Sequence, residues 1–234
     1  MSAEAGYESE ETVPLRVSGF LALILGLASA LALVGAPLLV IPILAIFFGF
    51  FALRKYDGPA PVGVRQAKLG LVLAAGFGAC GFFLPWMKTM TLGAQAEYFA
   101  RQYVEIVARG ELELAMELKK NYTNRYMHNM SLKQHYEMSD GARSALEMFS
   151  QESVNKTIQE LGPGRTWELD QATRVYHQFR LDRADVVLVN YDREVPFKIY
   201  FQMVYFPHRD TNVGQWHVEV CTEKTERLVA DSIL

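Results

Sequence analysis

The sequence predicts an α-helical transmembrane segment of three spans followed by a water-soluble α+β domain, with helices on one face of an antiparallel sheet. Three observations predict it. No charged residue occurs from Val17 to Leu53, and a second uncharged run follows from Leu69 to Met87. From Gly93 onward charges are spread throughout, with 17 Lys and Arg against 21 Asp and Glu. In that part a helical repeat comes first and a two-residue alternation later, the order of an α+β domain.

The chain opens on an acidic tail over residues 1–14, carrying Glu4, Glu8, Glu10 and Glu11, which is expected to be disordered. Its acidity argues against a cleaved signal peptide, whose first residues are basic. The run Val17–Leu53 holds about 37 residues. As one helix it would reach roughly 55 Å, beyond the ~30 Å hydrocarbon core, so it is expected to fold back on itself. Gly35-Ala36-Pro37 is the natural break, giving spans near 17–34 and 37–53, the second kinked at Pro42. The third span lies near 69–87, ending at Pro85-Trp86. The membrane domain therefore covers 15–87, and the soluble domain 93–234.

Orientation follows from Lys and Arg. The loop 54–68 carries Arg54, Lys55, Arg65 and Lys68, whereas the turn at Gly35 carries no charge. The N-terminus and this loop are expected in the cytoplasm, and the soluble domain on the far side of the cell (inner) membrane. Tyr56 and Trp86 sit where interfacial aromatics belong. Small residues recur every four positions, at Ala22, Gly26 and Ala30, at Ala45 and Gly49, and at Ala74 and Gly78. Such spacing brings helix backbones close, within this chain or between copies. The spans carry no ionisable acid, base or histidine, which argues against an ion or proton pathway.

The stretch Gly49-Phe50-Phe51-Ala52-Leu53-Arg54-Lys55, followed by Ala67-Lys68-Leu69-Gly70-Leu71-Val72-Leu73, resembles a bacterial membrane domain of unknown function. The resemblance covers roughly Leu15–Phe83. It implies a bacterial membrane protein and carries no enzymatic activity.

In the soluble part, Phe99, Tyr103, Ile106 and Val107 mark a helix over Ala94–Arg109, interrupted by Gly110. Leu112, Ala115, Met116 and Leu118 mark a second over Glu111–Lys120. Tyr122–Ser139 reads as irregular or partly helical. A third helix over Ala142–Leu161 stops at Gly162-Pro163-Gly164. Four strands follow, at Trp167–Arg180, Asp185–Tyr191, Pro196–Phe206 and Gln215–Glu223. In the third, Phe197, Ile199, Phe201, Met203 and Tyr205 share a face. In the fourth, Trp216, Val218 and Val220 are expected inward, and His217, Glu219 and Cys221 outward.

The opening Ala108-Arg109-Gly110-Glu111-Leu112-Glu113-Leu114-Ala115-Met116-Glu117-Leu118 and the closing strand Gly214-Gln215-Trp216-His217-Val218-Glu219-Val220 resemble the nuclear transport factor 2-like superfamily, which includes ketosteroid isomerase. The resemblance spans about Gly93–Lys224. It implies a cone-like antiparallel sheet, and membrane-anchored versions have the same domain order.

Chemical candidates are few. No Ser-His-Asp order, HExxH, Walker loop, dinucleotide fingerprint or CxxC occurs. No cofactor is implied, and no acid–base pair can be assigned. His177, placed on the face of Val175 and Phe179, is the candidate proton carrier, with Tyr103 and Tyr205 as further candidate pocket residues. His128 and His135 are spaced for a metal pair, but each reads more simply as an ordinary side chain, as do His208, in a turn, and a surface pair of His217 with Glu219. Cys80 and Cys221 lie in different parts of the chain, so no disulfide is expected. Asn121, Asn129 and Asn155 begin N-x-S/T sequons, which carry meaning only in a secretory pathway that glycosylates them. Without a basic stripe, nucleic-acid binding is excluded.

Beyond the lipid bilayer, the expected partner of the cone is a protein, a second copy of the chain or a small apolar ligand. An isomerase or dehydratase in the cone, and a structural subunit of a membrane assembly, are the alternative readings.

Overall fold

In the computed structural model, which describes residues 14–55, 61–127, 129–207 and 214–225, the first apolar run folds back between Leu33 and Ala36. Helix α1 (Val17–Ala28) continues as a 3-10 helix over Ser29–Leu33. A second 3-10 turn, Ala36–Leu39, leads into α2 (Val40–Leu53). Pro42 falls in the first turn of α2, six residues into the continuous helical run from Ala36. Arg16 caps the other end of α2. Its guanidinium donates to the carbonyls of Ala52 (2.5 Å) and Arg54 (2.6 Å), groups that a helix C-terminus leaves unpaired. The expected tail up to residue 13, Tyr56, His128 and His208 lie outside the described residues.

Ala36–Leu53 and α3 (Val64–Ala108) are long and apolar enough to cross a membrane, while the first apolar helix, Val17–Leu33, is shorter. The sequence places the third span and the first amphipathic helix in separate elements, but α3 is one helix with Pro85 inside it. A proline removes one hydrogen bond and crowds one carbonyl, which a long helix can absorb. The change from apolar to amphipathic composition falls within the helix and does not end it.

The chain divides into two compact units, Met1–Lys88 and Thr89–Leu234. In the first, several of the expected small residues pack within the chain, whereas Ala30 is exposed. Ala22, Ala45, Ala67 and Ala74 are fully buried. A Cβ at Gly81 would stand 2.7 Å from the Ala32 carbonyl oxygen, and one at Gly26 would run into the Gly70 backbone. Gly26→Val should therefore destabilise this unit by about 1–3 kcal/mol through overpacking. The check is the thermal midpoint of the detergent-solubilised protein, and an unchanged midpoint would mean that α1 and α3 do not meet there.

In the second unit, α3 ends on Gly110, whose φ of +77° suits glycine. The Gly110 N–H donates to Val107 O (3.0 Å) and that of Glu111 to Ile106 O (3.1 Å), a Schellman closure. Helix α4 (Leu112–Lys119) follows, then a 3-10 turn at Tyr122–Asn124 and α5 (Leu132–Met138), capped by Ser131. The single helix expected over 142–161 is two, α6 (Asp140–Gln151) and α7 (Ser153–Leu161). Glu152 between them is extended (φ −57°, ψ 131°), and the buried Asn155 amide donates to Phe149 O at 2.8 Å across the break. A side-chain bond thus takes up a carbonyl that a continuous helix would have paired.

The sheet is antiparallel and open. It contains β1 (Glu168–Leu169), β2 (Arg174–Gln178), β3 (Leu181–Asn190), β4 (Phe197–Pro207) and β5 (Gly214–Glu223). The order is β1-β3-β4-β5, with β2 also paired to β3. The strand expected over 167–180 is therefore split into β1 and β2. Asp170, between them, turns its carboxylate to Lys198 (2.8 Å) and Lys224 (3.2 Å). Phe197, Ile199, Phe201 and Met203 are all buried on the helix-facing side, as the alternation predicts. The core joins them to Ala184, Val186 and Leu188 of β3, Trp216 and Val218 of β5, and Ala96, Ala100, Tyr103 and Val107 of α3.

The last strand departs from its expected register. Gln202 pairs with Val220 and Met203 with Val218, so Glu219 is an extra residue in a β-bulge. One inserted residue reverses the faces beyond it. Cys221, expected outward, packs on the core opposite Phe201, while Val220 leaves it. Trp216→Ala should cost roughly 3–5 kcal/mol in denaturant unfolding. Val220→Ala should cost less than about 1 kcal/mol. Equal losses would mean that the bulge is absent.

Candidate functional site

Between α3 and the sheet, Tyr103 and Phe201 are both fully buried. Tyr103 meets Phe201 edge-on, with ring centroids 5.9 Å apart and planes at 81°. Its hydroxyl has no hydrogen-bond partner among the described residues. Burial, with Cys221 and Glu152 nearby, raises that phenol far above its ordinary range. Tyr205 is half-buried and leans on Trp216 at 5.1 Å.

His177 does share the face of Val175, because His177, Asp182, Tyr205 and Trp216 form one row of cross-strand partners. That row ends at solvent, however. His177 is 62% exposed, with Nδ1 2.9 Å from an Asp182 carboxylate oxygen. Phe179 is in the turn beyond the strand and is not a neighbour on the face. No single cavity among the described residues brings Tyr103, His177 and Tyr205 together: Tyr103 fills the core, Tyr205 flanks it and His177 is at its rim.

The most strongly organised polar cluster was not anticipated from the sequence. Glu117, on the inward side of α4, is almost fully buried. Its carboxylate accepts from Lys120 Nζ (2.7 Å), Tyr136 OH (2.7 Å) and the Tyr126 N–H (2.8 Å). Burial alone would raise this carboxyl, but the three hydrogen bonds and the Lys120 charge outweigh it and hold the group below its ordinary range. Lys120 is raised correspondingly, against the effect of its burial. Beside this cluster, Arg125 donates to Lys120 O (3.2 Å), Gln215 Oε1 (3.0 Å) and Trp216 O (2.8 Å). The stretch 120–138 is thereby fastened to α4 on one side and β5 on the other. A general base of the isomerase kind needs a carboxyl tuned toward neutrality, and Glu117 is tuned the other way.

A surface groove of about 420 Å³ lies where α4, the α6–α7 junction and β5 meet. Lys119, Glu152, Ser153, Glu219, Cys221 and Thr222 contribute to its lining. Lys119 sits 3.6 Å from Glu152 and 5.1 Å from the centre of the Phe149 ring. The bulge at Glu219 is what turns Cys221 toward the core beneath this groove. Burial pushes the Cys221 thiol up to about 12, with Glu152 reinforcing and Lys119 opposing. At neutral pH the thiol is protonated and a poor nucleophile. The groove thus displays one cation, two carboxylates and two hydroxyls.

On the other sheet face, Asp185 accepts from Tyr176 OH (3.2 Å) and Tyr200 OH (3.0 Å), and Gln202 donates to Tyr176 OH (2.9 Å). Burial first, then Asp185, pushes Tyr200 up to about 12. The expected His217–Glu219 pair is replaced by an Arg183–Glu219 ion pair. His217 is half-buried, and burial and Arg125 lower its pKa. His135 stacks on Tyr126 at 4.2 Å. Among the described residues no three His, Cys, Asp or Glu side chains are grouped to hold a metal. Asn155 is fully buried, so that sequon is closed to a glycan in the folded protein.

No protein-family model, curated protein or solved structure matches this chain.

The Glu117 cluster gives a pH signature. Because its folded pKa lies below the unfolded value of about 4.3, its stabilisation is complete above that value. It is lost as the pH falls from there through the lower folded value. Glu117→Gln should cost about 2–3 kcal/mol at pH 7 and flatten the acid limb of stability against pH. An unchanged acid limb in Glu117→Gln would assign the dependence to other carboxylates.

Proposed function

We propose that this chain is a membrane-anchored docking protein. Its apolar helices hold it in the cell (inner) membrane, and its α+β domain, outside the cytoplasm, binds a protein partner through the groove between α4, the α6–α7 junction and β5. One observation carries the choice of a docking role: the interior in which an isomerase would hold its substrate is occupied by Tyr103 and Phe201, both fully buried. A small apolar ligand would have to displace them. The polar groove stands open, with Lys119, Glu152 and Glu219 at its edge.

Three spans, with the end of α2 and the start of α3 in the cytoplasm, are supported by Arg54, Lys55, Arg65 and Lys68 there and by the close meeting of α1 with α3 at Gly26 and Gly70. The cone-like, nuclear transport factor 2-like reading is supported by the order of helices before an antiparallel sheet. An isomerase or dehydratase is the weaker reading, since the lowered pKa of Glu117 makes it a poor base and Cys221 is held protonated. A structural subunit that pairs with its own copy uses the same groove.

Reporter fusions after Lys68 and after Leu234 should report opposite sides of the membrane. A photo-crosslinking side chain at Thr222, on the groove, should give a discrete adduct with another protein in intact cells. Adducts with the chain itself would favour the structural-subunit reading. Lipid adducts or none, or both fusions on one side, would contradict the proposal.

A further inference from the structure

The β2–β3 hairpin turns in two residues, Phe179 and Arg180, since Gln178 pairs with Leu181. Both have positive φ, 52° and 64°. Turns of this kind favour Asn and Gly, which tolerate that conformation. Here the positions hold a bulky aromatic and a cation, and Phe179 is 79% exposed. The Arg183 guanidinium lies 6.0 Å from the centre of its ring. An apolar side chain held outward in an unfavourable backbone conformation has no role in the core.

The direction in which this tip points can be read along α3. Glu105 accepts from the Gly164 N–H at 3.0 Å, Arg101 donates to Trp167 O at 3.2 Å, and Glu97 accepts from the Thr173 hydroxyl at 2.7 Å. Gly93 comes next, against Thr173 and Val175. These four residues are spaced by four and form one helix face. As the chain advances from Gly164 to Val175, its partners on α3 move steadily back toward Thr89, where this unit begins. From Val175 to Phe179 the strand advances about 13 Å at 3.3 Å per residue. From Gly93 to Thr89 the helix covers only about 6 Å. The hairpin tip therefore lies at the end of the unit where the chain arrives from the uncharged run Leu69–Met87. Met90, also at that end, is 58% exposed.

We infer that the Phe179–Arg180 tip is a bilayer anchor: Phe179 enters the boundary between headgroups and acyl chains, and Arg180 meets lipid phosphate. This rests on the proposed membrane location. An aromatic ring and a guanidinium are the pair that suits this boundary, one side apolar and the other hydrated. With the chain's arrival as the first tether, the tip is a second. The opposite end of the sheet, with exposed Tyr191 and Val195 in the β3–β4 turn, stays in water.

The test uses the full chain in phosphatidylcholine vesicles, with and without bromine on the acyl chains as a contact quencher of tryptophan. Phe179→Trp should add a blue-shifted emission that bromine quenches. Tyr191→Trp should add emission at the wavelength of exposed indole, unaffected by bromine. The difference between the native chain and Trp86→Phe reports Trp86, and its quenching checks the membrane location independently. Quenching of Trp86 without quenching at position 179 would overturn the anchor and leave the location standing. No quenching at Trp86 would overturn both. Arg180→Trp, at the neighbouring turn position, serves as the reporter if Phe179→Trp alters the circular dichroism spectrum, and the same outcomes apply.

Discussion

The edge-to-face meeting of Tyr103 with Phe201 is the contact on which the second unit depends. It joins α3, the element that brings the chain into this unit, to β4, the strand with two full-length neighbours. Both rings are wholly buried, so the contact also fills the volume that an α+β cone would otherwise offer to a ligand. Filling has an energetic consequence. Aromatic burial with favourable ring geometry is among the larger contributions a core side chain makes. Where Tyr103 and Phe201 meet, the interior is taken up by their two rings.

Around that contact the polar groups act as fasteners. Glu117 and Arg125 hold the segment between α4 and α5 against α4 and β5. The buried carboxylate is tolerated because three donors surround it, one of them the Lys120 ammonium, and a buried charge without them would be costly. Glu105, Arg101 and Glu97 fasten the 164–173 segment along one face of α3. Their common effect is to fix the surface on which the groove and the hairpin tip are displayed.

Much of this was legible in the sequence, for identifiable reasons. The alternation Phe197, Ile199, Phe201, Met203 placed one strand's faces correctly, because a period of two has a single solution when one side is buried. The small residues of the apolar helices announced close packing, which Gly26 and Gly70 realise. The misses share a cause: each depends on a partner distant in sequence or on one backbone angle. The bulge at Glu219 turns Val220 out and Cys221 in, and no local pattern marks an inserted residue. The break at Glu152 leaves a helical repeat intact on both sides. Pro85 reads as a stop but is carried within α3. Phe179 and Arg180 lack the Asn-Gly signature that would have revealed a two-residue turn. Of the candidate pocket residues, Tyr103 was recognisable as inward-facing from its helical spacing. The exposure of His177 follows from its nearness to the turn, two residues beyond it. Glu117 could have been suspected only from Lys120, three residues on, a spacing shared by many surface pairs.

The most direct test of the account is whether the interior of the second unit is already full. Benzene added to the solubilised chain, with side-chain methyl resonances followed by nuclear magnetic resonance, distinguishes the cases. The account predicts no saturable shift at Val186, Ile199 or Val218 in the native protein. It predicts saturable shifts there in Tyr103→Ala, where a dry apolar cavity would open. Saturable binding by the native protein at those residues would contradict it and return the interior to the role of a ligand site.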